Sequence, residues 1–326
     1  MIRSVAITGA TGFIGRHVAA DLLARGTAVT AIVRPRSRHT APPGTRSVSA
    51  PLETQALHEA FAGADAVIHL AGVVAAVDAR TYRSINAEGT RAVATAARDA
   101  GARLIHVSSL AAAGPAPASA PHREDDPPRP VTPYGRSKLE SEQIVNATEG
   151  LRSIILRPGV VYGPTDRAVF PLFEAAARGI FPMVGRSDAA YTFIYVDDIV
   201  KAIVAAVDKA DVGGVVFVGH PQPVTSRDLF EAIQAGIGRT GGGSVRIPMG
   251  IAFAAAVTCD LVGRIIRRPL LLNLSRYREL AAEGFVCRVD RLRDELGVVP
   301  TTELRDGIAR TAAWYRQAGW LPALRS

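Results

Sequence analysis

Tyr134 and Lys138 stand four residues apart in Tyr134-Gly-Arg-Ser-Lys138, and on a helix that spacing puts both side chains on one face, one turn apart. A free tyrosine has a pKa of about 10, and a neighbouring ammonium favours the phenolate and lowers that value. The pair is therefore expected to give and take a proton near neutrality, beside a carbonyl or alcohol carbon undergoing hydride transfer. Upstream, Ser108 and Ser109 offer a hydroxyl that either bonds a substrate oxygen or satisfies loop backbone. Asn86, in Asn86-Ala-Glu-Gly89-Thr90, reads as the N-cap of the helix it opens or as a member of the same site.

The partner for this chemistry is signalled at the N-terminus. Gly9-Ala-Thr-Gly12-Phe-Ile-Gly15 lies between an apolar run and a helical pattern. Small residues let backbone approach a pyrophosphate, and the helix start presents free N–H groups to it. Gly9, Thr11, Gly12, Phe13, Ile14 and Gly15 are the expected cofactor cradle. About 20 residues on, NAD-preferring sites carry an acid for the ribose 2′-hydroxyl. Here that place holds Arg34, followed by Arg36 and Arg38. Arginine pairs bidentately with a 2′-phosphate, so Arg34 and Arg38 favour NADP(H), with NAD as the alternative.

The elements that must position these residues follow from periodicity. Apolar runs at Ser4-Ile7, Ala28-Val33, Arg46-Ser49, Ala66-Leu70, Arg103-Ser108 and Ser153-Leu156 alternate with helical patterns at Gly12-Arg25, Thr54-Phe61, Asn86-Ala100 and Tyr134-Glu149. That is the pattern of β-α-β units: an α/β fold with a doubly wound parallel Rossmann sheet. Residues 114–133 hold seven prolines and form a loop after the fifth strand, where open α/β sheets place their sites. Residues 1–160 thus make the NADP-binding domain. Tyr191-Ile194 and Val215-Val218 read as strands returning to the sheet. Residues 161–190 and 219–326, with helices at Phe170-Gly179, Ser226-Gly238 and from Met249 onward, read as a smaller, discontinuous C-terminal substrate-binding part.

Hydrophobic residues make up 48% and charged residues 21% of the 326, which is globular composition. Two cysteines without metal or disulfide spacing place the chain in a reducing cytosol, with no metal expected. The apolar stretch Ile247 to Cys259, interrupted by Pro248 and Gly250, is shorter than the roughly 20 residues that cross a bilayer, so no span is predicted. The formal charge of +8 sits almost wholly on arginine and matches no nucleic-acid-binding motif, so nucleic acid is not an expected partner.

With these pieces in place the chain resembles the extended short-chain dehydrogenase/reductase family, including its NAD-dependent epimerase/dehydratase group. The matching residues are Thr8-Gly-Ala-Thr-Gly-Phe-Ile-Gly15, His69-Leu-Ala-Gly72, Asn86 with Gly89-Thr90, Val107-Ser-Ser109, Tyr134 with Lys138, Arg157-Pro158-Gly159 and Tyr195-Val-Asp-Asp-Ile199. The resemblance implies Ser109 as catalytic hydroxyl with Ser108 in reserve, Tyr134 as acid/base, and Lys138 as its electrostatic partner. It also implies cofactor contacts from Leu70, Ala71, Gly72, Asn86, Ser108, Tyr134, Lys138, Pro158 and Val160.

Departures from the family narrow the chemistry. Ala50-Pro51-Leu52 stands where many members carry an acid near the adenine. Leu110-Ala111 replaces the Asp-Glu pair of sugar dehydratases, which disfavours elimination. Arg186 precedes Asp197-Asp198, but Ser187 to Phe193 lacks the Arg-Asp dipeptide common in nucleotide-sugar members. Met249 to Val257 and Gly263 to Leu272 mix apolar residues with arginine, a composition suited to the small domain's own core, a homodimer face, a greasy pocket or an anionic membrane surface. The resemblance is closest in style to 3β-hydroxysteroid dehydrogenases, dihydroflavonol reductases and bacterial 3-oxo-lipid (ceramide-type) reductases. The expectation is an NADPH-dependent ketone reductase for a large hydrophobic substrate. A sugar epimerase and a non-catalytic NADP-binding accessory protein are the alternatives.

Overall fold

In the computed structural model, which describes residues 2–186, 188–239, 243–270 and 272–322, the apolar runs become strands. These are β1 (Ser4–Thr8), β2 (Ala28–Val33), β3 (Arg46–Ser49), β4 (Ala66–His69), β5 (Arg103–Val107), β6 (Ser153–Pro158), β7 (Val160–Tyr162), β8 (Ile180–Val184), β9 (Ala190–Tyr191), β10 (Phe193–Tyr195), β11 (Gly214–Val218), β12 (Val224–Thr225), β13 (Gly243–Ile247) and β14 (Gly284–Phe285). Seven form one sheet in the order β11-β6-β5-β4-β1-β2-β3, with neighbouring strands parallel throughout. This is the doubly wound Rossmann sheet.

The helices are α1 (Phe13–Ala24), α2 (Thr54–Phe61), α3 (Ala79–Tyr82), α4 (Gly89–Asp99), α5 (Pro133–Asn146), α6 (Phe170–Ala177), α7 (Val196–Asp208), α8 (Ser226–Gly236), α9 (Met249–Ile265), α10 (Leu274–Ala281), α11 (Asp290–Asp294) and α12 (Leu304–Gln317). They cover both faces of the sheet, which is why its central strands are apolar throughout instead of alternating. On one face Val18 and Leu22 of α1 and Ile199 and Ile203 of α7 pack on Ile7, Ile105 and Leu156. On the other, Leu57, Phe61 and Val93 pack on Val67, Leu104 and Ile155. A separate aromatic cluster holds the C-terminal part together, with Tyr162, Phe173, Tyr195, Ile308 and Tyr315 buried.

Two expectations need correction. Tyr191-Ile194 does not return to the main sheet: β9 pairs with β12 and β14, and β10 pairs with β7. Gly159, between β6 and β7, turns the chain out of the large sheet there, and its N–H still bonds Val218 O at 3.0 Å while Val160 N–H already bonds Thr192 O at 2.8 Å. Asn86 is not an N-cap. It lies inside a π-helical stretch, Arg83–Glu88, that runs straight into α4. The apolar stretch bounded at Cys259 is part of a longer helix, α9, which follows Pro248 at its N-cap and runs to Ile265; Gly250, at its second position, does not interrupt it. Ser187 and Leu271 lie outside the described residues.

Candidate active site

The expected residues collect at the C-terminal edge of the parallel sheet. The turn after β1 carries the glycine cradle, the turn after β4 carries Leu70 to Gly72, and the segment after β5 carries Ser108 and Ser109. Pro158 ends β6, and Val160 begins β7 just beyond it. Arg34 and Arg38 follow β2, the strand beside β1.

Glycine is required in the cradle by contact. Gly9 has φ +78°, and a Cβ there would lie 2.7 Å from the backbone of Leu70 and Ala71; at Gly15 it would lie 2.2 Å from Gly9 O. Gly12 is the N-cap of α1, provides no side-chain cap, and no acid sits in the first turn. The N–H groups of Phe13, Ile14 and Gly15 are thus left for an anion at the positive end of the helix. Arg16 fixes the loop from below, donating through Nε to Thr11 O at 3.0 Å. A dinucleotide pyrophosphate fits this cradle. Arg34 and Arg38 are exposed and have no side-chain hydrogen bond or ion pair among the described residues.

Helix α5 carries the catalytic candidates because Thr132 caps it, accepting from Gly135 N, with Pro133 at its first position. A Cβ at Gly135 would meet Ala111 O at 2.3 Å, so the helix start is pressed against the segment holding Ser109. Lys138 is buried and donates to Val107 O at 2.9 Å. Burial lowers its pKa to about 8, against the attraction of Glu142. Tyr134 runs contrary to expectation: burial around its hydroxyl pushes the phenol up to about 12, only partly offset by hydrogen bonding with Ser109, and the negative charge of Glu279 on α10 pushes the same way. Lys138 Nζ directs one N–H at the sheet edge, to Val107 O. The Tyr134 phenol, with its raised pKa, keeps its proton at neutral pH, with the Ser109 hydroxyl beside it. The Tyr82 ring lies 6.2 Å from its own.

Ser108 drops out as the reserve hydroxyl. It donates to Glu142, which also takes both arms of Arg157, at 2.9 and 2.5 Å. All three are buried. Asn86 is likewise committed: its Oδ1 accepts from Val73 N at 2.8 Å, and its Nδ2 donates to Val73 O and Ser137 Oγ, each at 3.0 Å. It ties the turn after β4 to α5, one residue from Lys138.

Residues 5–219 match the model of the NAD dependent epimerase/dehydratase family. The chain belongs to that family. Across 330 residues it is 32% identical to a ceramide reductase of Caulobacter vibrioides, covering 98% of this chain and 96% of the relative. It is 28% identical to a 4-hydroxy-2-methyl-3-oxo-4-farnesyl-3,4-dihydroquinoline-1-oxide ketoreductase of Stigmatella aurantiaca, covering 96% of each. The fold matches that of the UDP-glucose 4-epimerase of Thermus thermophilus in complex with NAD, with a TM-score of 0.77, 24% identity, and coverage of 97% and 99% of the two chains. Membership makes this a nicotinamide-dinucleotide-dependent Rossmann enzyme of oxidoreductase character.

Two buried polar clusters beside the candidate site escaped the sequence reading. One is the Glu142-Arg157-Ser108 cluster, whose signal was present: Tyr134, Lys138 and Glu142 recur every four residues and so share one helix face. The other is a buried relay in which Thr8 Oγ1 meets His69 Nδ1 at 2.6 Å and His69 Nε2 meets Thr90 Oγ1 at 3.0 Å. His69 stacks on His106, with centroids 5.3 Å apart. Burial first, and the nearby Lys138 charge second, hold His69 down at about 3. Both partners of the relay come from separate strands and helices, which sequence alone does not bring together.

Proposed function

We propose that the protein reduces a ketone to a secondary alcohol on a large hydrophobic substrate, using NADPH, with Ser109, Tyr134 and Lys138 as catalytic residues. The carrying observation is Tyr134 one helical turn from the buried Lys138, its protonated phenol beside the Ser109 hydroxyl. The glycine cradle of Gly9 to Gly15 would hold NADPH, which would supply the hydride to the carbonyl carbon. The phenol and the Ser109 hydroxyl hold the substrate oxygen, and Tyr134 hands its proton to that oxygen as the negative charge grows there. Lys138 lies on the same face of α5, where its ammonium stabilises the tyrosinate left behind.

Two features support the finer points. Arg34 and Arg38, exposed and unpaired at the end of β2 where an acid would repel a phosphate, favour the 2′-phosphate of NADPH. The hydrophobic substrate is supported by the relatives' activities on ceramide and on a farnesylated quinoline, and by Tyr82 beside Tyr134.

The test is nicotinamide absorbance with NADPH, and separately NADH, against 3-oxo-lipid and steroid ketones. Oxidation with one ketone class should fall about 10²- to 10⁴-fold in Tyr134→Phe, with cofactor binding retained. Bound cofactor with no turnover on any ketone would retire the reductase reading in favour of epimerisation.

A further inference from the structure

Helix α9 is built inside out. Its buried positions are small, Ala252, Ala256 and Gly263, while its large apolar side chains face outward: Ile251 is 62% exposed, Leu261 61% and Ile265 73%, with Phe253, Val257, Val262 and Ile266 also exposed. Large residues turned to water and alanine turned inward reverse the arrangement of a helix that packs only on its own protein. By length and composition, Met249–Ile266 is apolar enough to cross a membrane.

Its charge pattern selects a partner. The one acid of the helix, Asp260, is neutralised by Arg264 at 2.9 Å. At the C-terminal end Arg267 and Arg268 are both exposed and without an ion pair among the described residues, so this end of the apolar face carries uncompensated positive charge. The helix is also tied down along one flank, where the half-exposed Phe253 marks the margin of the outward face. α10 packs along it, with the Phe253 and Tyr277 rings 5.3 Å apart, and a Cβ at Gly263 would lie 2.9 Å from Arg268 O. A spanning helix would have to abandon that packing; a helix lying in the surface plane keeps it.

We infer that α9 docks the protein on an anionic lipid bilayer, with its apolar face in the acyl boundary and Arg267 and Arg268 at the headgroup phosphates. The inference stands on different residues from the ketone-reduction reading. The two meet through α10, which follows α9 in the chain and carries Glu279, whose charge is felt at Tyr134. The docking helix therefore packs on an element whose charge reaches the proposed chemistry.

Flotation of the full chain with vesicles of phosphatidylcholine containing phosphatidylglycerol, against phosphatidylcholine alone, tests this. The protein should float with the anionic vesicles and bind neutral ones more weakly. Arg267→Gln with Arg268→Gln should weaken anionic binding about 30-fold, from roughly 1 kcal/mol per basic residue near the surface. Leu261→Glu with Ile265→Glu should abolish flotation while leaving turnover of a water-soluble ketone unchanged; both side chains are exposed, so the fold does not depend on them. Tyr134→Phe should float like the parent. Overturning results are a parent that stays at the bottom of the gradient, a glutamate variant that floats equally, or a parent dimer that the glutamate variant turns into monomer, which would assign the face to a second copy.

Discussion

Glu142 holds both arms of Arg157 and the Ser108 hydroxyl in a site with almost no solvent, the two charged side chains being 3% and 5% exposed. This pair pins the middle of α5 to the end of β6, and so sets the height at which Lys138 and Tyr134 stand above the sheet. Removing one partner strands a buried charge, at a cost of about 3–5 kcal/mol. Arg157→Met should lower the urea unfolding midpoint accordingly, and Arg157→Met with Glu142→Leu should recover part of the loss.

Gly12 and Gly15 should separate fold from cofactor binding. At Gly15 a methyl group would lie 2.2 Å from Gly9 O, which forces the backbone to move; at Gly12 it would lie 3.2 Å from the same atom and point into the cradle. Gly12→Ala is expected to keep the unfolding midpoint and weaken dinucleotide binding at least tenfold, a loss of about 1.4 kcal/mol. Gly15→Ala should lower both. Calorimetric titration with NADPH beside thermal unfolding reads the difference.

Arg34 and Arg38 should set the cofactor. Hydrogen bonds to charged groups contribute about 1.5–3 kcal/mol each. Arg34→Asp with Arg38→Ala should therefore weaken NADPH binding by roughly 100-fold or more while sparing NADH, measured as two dissociation constants on each protein. An unchanged ratio of the two would place 2′-phosphate recognition elsewhere.

Lys138 gives stability a pH dependence of known sign. Its folded pKa, about 8, lies below the ordinary 10.5, so above pH 8 the folded state sheds this proton while the unfolded state keeps it. The penalty of burying the charge is full below pH 8 and is relieved as pH rises toward 10.5. Relative to Lys138→Met, the parent should gain about 1.5 kcal/mol between pH 8 and pH 9.5, read by urea unfolding at the two values. Tyr134 acts oppositely but only above its ordinary 10, since its folded value is about 12.

Most of the Rossmann half was legible in the sequence because its signals are local. β2, β3 and α2 begin and end where the apolar periodicity does, and a glycine turn between strand and helix has few other uses. What was not legible depends on distant partners. Nothing around Asn86 announces a π-helical stretch, which forms while its amide is clamped to Val73 and Ser137. Spacing put Tyr134 and Lys138 on one face but did not reveal that Val107 O would claim the ammonium. The helix from Met249 onward was legible, but its run beyond Cys259 was not, because Asp260 ends the apolar stretch in the sequence and is paired with Arg264 in the fold.

The proline-rich loop between Gly114 and Pro133 is stitched by backbone bridges from Ala116 to Phe285 and from His122 to Cys287, and β13 closes onto β8 just before α9 begins. The chain that carries α9 and α10 therefore leaves the body at one clasp and re-enters it at another. Such a detour is a cassette: its sequence is free to vary while both clasps keep the C-terminal edge of the sheet in register.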